Sequence, residues 1–209
     1  MSDSEQFQLF NLQETAPTDV PDSFDIDTIP TSASVAIPPG TYSDLDTLGN
    51  HCRQCQRCEL GGTRINAVVG RGNPNAPIMI IGEAPGQNED ETGQPFVGRA
   101  GQLLSKILDA VQLDEEKDVY ISNIVKCRPP GNRTPTPQER ALCEPFIRRQ
   151  IELAAPKVMM TLGGSALSGL FGINGIMKTR GQVLTYSHKG LSAPCVPTLH
   201  PAALLRNPI

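Results

Sequence analysis

Four cysteines constrain this chain more than any other feature of its sequence. Cys55 and Cys58 form a C-x-x-C pair, and Cys127 and Cys143 follow far downstream with fifteen residues between them. Four thiolates divided between two remote segments are a way to hold a tetrahedral metal ion or an iron–sulfur cube. A fold that satisfies them must bring both segments together around one centre. The flanks place that centre. Cys55 and Cys58 precede Gly70-Arg71-Gly72-Asn73-Pro74, and Cys127 follows an apolar run from Val119 to Val125. The cysteines therefore staple the rim of a core where a ligand site is expected. Spacing alone leaves zinc and an iron–sulfur cluster equally open. Three disulfides are disfavoured, because the start of the chain, with Asp3 and Glu5, does not read as an export signal, and the reading is of a reducing, cytoplasmic compartment.

The 209 residues suffice for one substantial domain, and the formal charge of −4 hides an asymmetry. Residues 1–50 hold nine of the 22 acidic residues and none of the 18 basic ones, so the remainder carries +5. A basic globular part with an acidic tail permits nucleic-acid binding without requiring it. No stretch approaches the ~20 apolar residues of a membrane span. Residues 1–40, rich in Ser, Thr, Pro and Asp with isolated hydrophobes, are expected to be a disordered acidic tail.

From residue 41 to 209 the pattern alternates. A short helix is expected from Tyr42 to Asn50, capped by Ser43 or Asp44. Pro77–Ile81 reads as a strand covered on both faces, and Leu103, Leu104, Ile107, Leu108 and Val111 recur at helical spacing. Val119–Val125 is a second strand. Thr136-Pro137-Gln138-Glu139 opens a helix that carries Cys143 towards Leu153. Lys157–Leu162 is a third strand, followed by a helix after Gly163. Gln182–Tyr186 and Val196–Leu199 read as the last strands, and Pro201–Leu205 as a final helical turn. The fold class is α/β: a three-layer αβα domain with a central, mainly parallel sheet. Ligands in such sheets bind beyond the carboxyl ends of the strands. Three informative segments sit there: Gly82-Glu83-Ala84-Pro85-Gly86, Ser122-Asn123 and Leu199-His200-Pro201.

With the cysteines, these loops resemble the family 4, iron–sulfur branch of the uracil-DNA glycosylase superfamily. The resemblance spans residues 51–209 and rests on GRGNP (70–74), GEAPGQNEDETGQPFVGRAGQLL (82–104), YISNIVKCRPPGNRTPTPQE (120–139), TLGGSAL (161–167) and LHPAALLRNP (199–208). It implies that Cys55, Cys58, Cys127 and Cys143 ligate one 4Fe–4S cluster. Leu60 and Arg64 follow Cys58 at the family's offsets, which selects the 55/58 pair and leaves Cys52 spare. Cys195 reads as a buried small hydrophobe.

The resemblance also assigns the loops. Asn123 is implied as the uracil reader, since one carboxamide complements both the N3–H donor and the O4 acceptor. Phe96 is implied to stack on the flipped base and His200 to meet the uracil O2. Ala84 stands where the better-known relatives carry an Asp that handles the water. That leaves the general base open among Glu83, Glu89 and a water held by Asn132; alternatively Glu89 lines the pocket near C5 and excludes thymine. Leu205, as a wedge, and Arg206 are expected to contact DNA. No Lys in these motifs reads as a Schiff-base nucleophile, so a monofunctional glycosylase of base-excision repair is expected, acting as a monomer on uracil-containing DNA at the nucleoid.

Two departures accompany the resemblance: residues 1–50 lie outside the family core, and relatives continue into a further helix beyond Ile209. Two rival readings remain. One is a non-catalytic iron–sulfur DNA-binding module of the same fold. The other is a nucleotide-binding α/β protein with structural zinc, disfavoured because neither a Walker-type loop nor a G-x-G-x-x-G turn follows any strand.

Overall fold

Alternating side chains on four short strands decide the architecture. The computed structural model describes Ile37 and residues 41–206. In chain order the elements are α1 (Leu45–Gln54), α2 (Leu60–Thr63), β1 (Arg71–Gly72), β2 (Ile78–Gly82), α3 (Gln87–Thr92), α4 (Arg99–Ala110) and β3 (Val119–Asn123). A 3-10 turn at Pro130–Asn132 precedes α5 (Pro137–Ala154), β4 (Val158–Leu162), α6 (Gly164–Phe171), α7 (Ile176–Thr179), β5 (Leu184–His188), β6 (Leu191–Thr198) and α8 (Pro201–Arg206).

The six strands form one sheet in the order β1-β3-β2-β4-β6-β5. β3, β2, β4 and β6 run parallel, while β1 and β5 close the edges antiparallel. Successive strand side chains point to opposite faces. Met79, Ile81, Tyr120 and Met159 therefore join Leu48 of α1, Phe146, Ile147 and Ile151 of α5, and Ala166 and Leu170 of α6 in one core. Ile80, Val119, Ile121 and Leu162 pack on the other face with Leu104 and Leu108 of α4. Two cores on opposite faces of a mainly parallel sheet make the expected αβα sandwich.

Local signals account for the helix ends. Asp44 caps α1, its Oδ1 accepting from the Thr47 N–H at 2.7 Å. Thr136 and Glu139 form a reciprocal capping box at the start of α5, with Pro137 in the first position. The helix expected over 42–50 is displaced to Leu45–Gln54 because this cap sits at Asp44. The second strand stops at Asn123, earlier than expected, since its partner β2 ends at Gly82. Only the Ile124 and Val125 N–H groups reach further, to the Gly82 and Glu83 carbonyls at 2.9 and 3.0 Å. The last two strands are a hairpin, β5 antiparallel to β6.

The disordered tail expected over 1–40 lies outside the described residues, apart from Ile37, which packs half-buried against the core. No helix among the described residues is long and apolar enough to cross a membrane.

Candidate functional site

Strand order reverses at β2. β3 lies on one side of it and β4 on the other, so a crevice opens beyond the carboxyl ends of these strands. Asn123 ends β3 and is 1 % exposed, and its Oδ1 has no hydrogen-bond partner. An acceptor left unpaired in a protein interior costs on the order of 1–3 kcal/mol, so it marks a place where something else is meant to donate. Gly82, its partner across the parallel ladder, leaves room for the amide. A Cβ on Gly82 would stand 2.6 Å from the Phe96 Cζ as well as against Asn123.

Phe96 is buried and holds φ at +55°, in the left-handed region that disfavours a bulky residue. Arg71 of β1 clamps it there. Its Nε donates to the Pro95 carbonyl at 2.7 Å and its Nη2 to the Phe96 carbonyl at 3.3 Å, while Nη1 pairs with Glu115. A cavity of about 490 Å³ opens behind this clamp; Phe96 and Val97 line it, Asn123 and His200 do not.

The Phe96 ring lies 5.6 Å from the His200 ring, tilted by 31°. His200 follows β6 and precedes α8. The Ala202 N–H donates to its Nδ1 at 3.1 Å, which leaves Nε2 to carry the proton of a neutral imidazole. Burial first, then the charge of Arg206, hold the His200 pKa below its usual value of 6.5, with Glu89 opposing. The close approach that seats this histidine depends on Gly163, at φ +91°, where a Cβ would stand 3.0 Å from the His200 Cβ.

Glu89 is fully engaged. Its Oε1 accepts from the Val97 and Gly98 N–H groups at 3.0 and 2.8 Å, and its Oε2 from the Gly86 N–H at 3.1 Å. This carboxylate knits the loop after β2 to the loop that bears Phe96. Glu83 differs, with a buried Oε1 that lacks a partner. Ala84 packs half-buried against the core. Asn132 is exposed at the 3-10 turn, its Oδ1 accepting from the Arg128 Nε at 2.7 Å. Leu205, 40 % exposed, and Arg206 lie at the outer end of α8.

The cysteines gather at a second centre. Cys55, Cys58, Cys127 and Cys143 line one pocket, and Cys52 of α1 lines it too. All six cysteines of the chain are free of disulfides. Among the described residues no three Cys, His, Asp or Glu side chains are drawn tightly enough to hold a single metal ion. Burial pushes Cys127 up to about 11 and Cys143 up to about 12, so they remain neutral thiols until a cationic centre displaces their protons. Arg64 donates through Nη1 to the Cys127 Sγ at 3.2 Å and to the Cys55 carbonyl at 2.7 Å, and the Lys126 N–H reaches the Cys143 Sγ at 3.4 Å. Soft sulfur donors with N–H groups aimed at the sulfurs are the donor set of an iron–sulfur cluster.

Lys126, which the sequence reading passed over, joins the two centres. Its side chain is buried, lines the cysteine pocket, and gives hydrogen bonds to the Ser122 Oγ at 2.8 Å and the Asn123 carbonyl at 2.6 Å. The one available signal was its place after the apolar run Val119–Val125, where lysine is rare. Gly82, Gly163 and Arg71 were likewise missed as site residues, because each acts through a close approach or a carbonyl that only the fold creates.

Residues 69–209 match the family described as the uracil DNA glycosylase superfamily. The match begins after Cys55 and Cys58. The type-4 uracil-DNA glycosylase of Saccharolobus solfataricus is 45 % identical over 170 residues, covering 79 % of each chain. That of Thermotoga maritima is 45 % identical over 167 residues, covering 78 % of this chain and 84 % of its own. The type-5 uracil-DNA glycosylase of Pyrobaculum aerophilum is 30 % identical over 170 residues, covering 68 % and 75 % respectively.

Proposed function

The chain belongs to the uracil DNA glycosylase superfamily, on its type-4 branch, and we propose that it excises uracil from DNA as a monofunctional glycosylase, leaving an abasic site. The observation that carries this reading is the buried, unpartnered Asn123 Oδ1 at a strand end beside Phe96. An acceptor there receives the uracil N3–H, and the amide N–H of the same group donates to O4. Cytosine presents the reverse pattern at both positions, and a buried polar mismatch of this kind costs a factor of ~10⁴.

The base must leave the duplex stack before it can reach this depth. Phe96 then stacks on its face, and Leu205 and Arg206 at the exposed end of α8 contact the DNA left behind. When the C1′–N1 bond breaks, its electron pair goes to the base, and negative charge collects on O2. The neutral His200 meets it with Nε2–H, a donor already in place. A water adds hydroxide to the sugar cation and releases its proton to solvent or to Glu83, the carboxylate with an oxygen still free. Glu89 acts by holding the Phe96 loop through three backbone N–H groups.

Cys55, Cys58, Cys127 and Cys143 would hold a 4Fe–4S cluster, which supplies a crosslink between distant segments and no chemistry to base release. Four soft thiols with N–H groups aimed at two of their sulfurs support the cluster. The protein acts as a monomer in the cytoplasm, on nucleoid DNA.

The test is incubation of the pure, anaerobically prepared protein with a single-uracil oligonucleotide, followed by alkali. Strand scission at the uracil position is expected only after alkali. Binding without scission would make the protein the non-catalytic module, and scission without alkali would reveal a lyase.

A further inference from the structure

We propose that Lys126 is a positioning residue that couples the cysteine pocket to the base-reading amide of Asn123. The inference rests on the reading of Asn123 given above and extends it to the residue behind it.

Lys126 is 2 % exposed, and none of the ion pairs of the described residues includes it. Burying an ammonium costs several kcal/mol, and a hydrocarbon of the same length packs the site more cheaply. Stability is therefore not what the charge provides. Its two hydrogen-bond acceptors are both at the end of β3: the Ser122 Oγ and the carbonyl of Asn123 itself. Ser122 is fixed in turn, donating to the Val69 carbonyl at 2.8 Å. The backbone of Lys126 faces the other centre, its N–H on the Cys143 Sγ at 3.4 Å, and the residue lines the pocket with Cys52, Cys127 and Cys143.

One residue thus holds the peptide that aims the reader and borders the sulfurs that carry negative charge once a cluster is bound. The anionic sulfur compensates the buried ammonium. The ammonium fixes the Asn123 carbonyl, and with it the backbone from which the amide projects. Asn can present either face to a base, so its discrimination depends on being held. A charged hydrogen bond to the carbonyl of the reader supplies that hold.

The experiment uses the cluster-loaded full chain. Lys126→Met is expected to keep its iron, to shift the cluster reduction potential to a more negative value, because a neighbouring positive charge is gone, and to slow single-turnover uracil release by about 10- to 100-fold, the worth of a hydrogen bond to a charged group, with DNA affinity unchanged. In an Asn123→Ala background the same substitution should add less than about twofold, since its effect runs through that residue. A wild-type rate, an unshifted potential, or equal slowing in both backgrounds overturns the proposal. If Lys126→Met fails to hold iron, Ser122→Ala serves instead: it removes one anchor of the ammonium and should slow release in the wild-type background only, an unchanged rate there being decisive against it. Should the wild-type chain release no uracil, the functional reading fails; the potential and iron measurements still report on Lys126.

Discussion

Gly82 and Asn123 face each other at the ends of two parallel strands so closely that a methyl group on Gly82 would stand 2.4 Å from the Asn123 Oδ1. The same methyl would press on the Phe96 ring at 2.6 Å. Both obstacles are ends of side chains, which can swing aside. Gly82→Ala should therefore cost only ~1–3 kcal/mol of stability, as overpacking does. The displaced groups are the reader and its stacking platform, and a shift near 1 Å costs ~10²-fold in rate. Thermal melting and single-turnover uracil release on one preparation check the split. A variant with full activity would mean that neither group needs its observed place.

The sandwich was legible because its strands announce themselves. Pro77–Ile81 and Val119–Val125 are short, largely apolar runs, and α4 between them keeps one apolar face. Parallel strands then forced Gly82, Asn123 and His200 to one end of the sheet. One edge was not legible: β1 is two residues long and supplies no period. β6, which lies inside the sheet, was read only over its second part, Val196–Leu199, because Pro194 and Pro197 interrupt its pattern. At the site, residue types were readable but their engagements were not. Glu89 and Glu83 look alike in sequence, yet one carboxylate is spent on three backbone N–H groups and the other keeps a free oxygen. Those groups come from Gly86, Val97 and Gly98, whose approach is a property of the loops. Asn132, a candidate for holding the water, instead lies in a 3-10 turn with its amide oxygen on Arg128.

His200 sets the pH dependence. Burial lowers its pKa below 6.5, so the imidazole is neutral at pH 7 and donates from Nε2 unchanged as pH rises. Uracil release should be flat from about pH 7 to 9, and His200→Ala should slow it by ~10²–10³ at every pH in that range. A depressed histidine contributes stability that is complete above its unfolded pKa and lost as pH falls through the folded value. Melting temperature against pH should therefore drop more steeply in acid for the wild type than for His200→Ala, starting below pH 6.5. A rate that climbs as pH falls would show that the imidazolium is the donor.

Cys52 separates ligation from packing. It lines the cysteine pocket and is 1 % exposed in α1, so the pocket holds five thiols for four ligand positions. Cys52→Ala should keep about four irons per chain, the content of one cube, and lose a few degrees of melting temperature as a small cavity opens. Cys127→Ser and Cys143→Ser should lose iron and most of the soluble protein, because the crosslink that ties the loop after β3 and α5 to the Cys55/Cys58 segment goes with them. Iron-to-protein ratios decide the matter, and loss of iron in Cys52→Ala would replace one of the four proposed ligands.

Asn123→Asp probes the reader most directly, because it changes which hydrogen-bond pattern the site presents. As a carboxylate the new side chain only accepts, so it can take a cytosine amino proton but meets cytosine N3 lone pair to lone pair. As a neutral acid it offers a donor to N3 and an acceptor to the amino group, which is the pattern cytosine needs. Burial favours the neutral acid, since position 123 is 1 % exposed, whereas the Lys126 ammonium on the adjoining carbonyl favours the carboxylate. Uracil release by Asn123→Asp should fall by at least ~10², and any cytosine release should grow as pH falls, as the neutral form gains. Single-turnover assays on matched uracil and cytosine oligonucleotides from about pH 5 to 8 read both. Cytosine release that instead rises with pH would mean that the carboxylate is the competent form, and that the side chain at 123 does not meet N3.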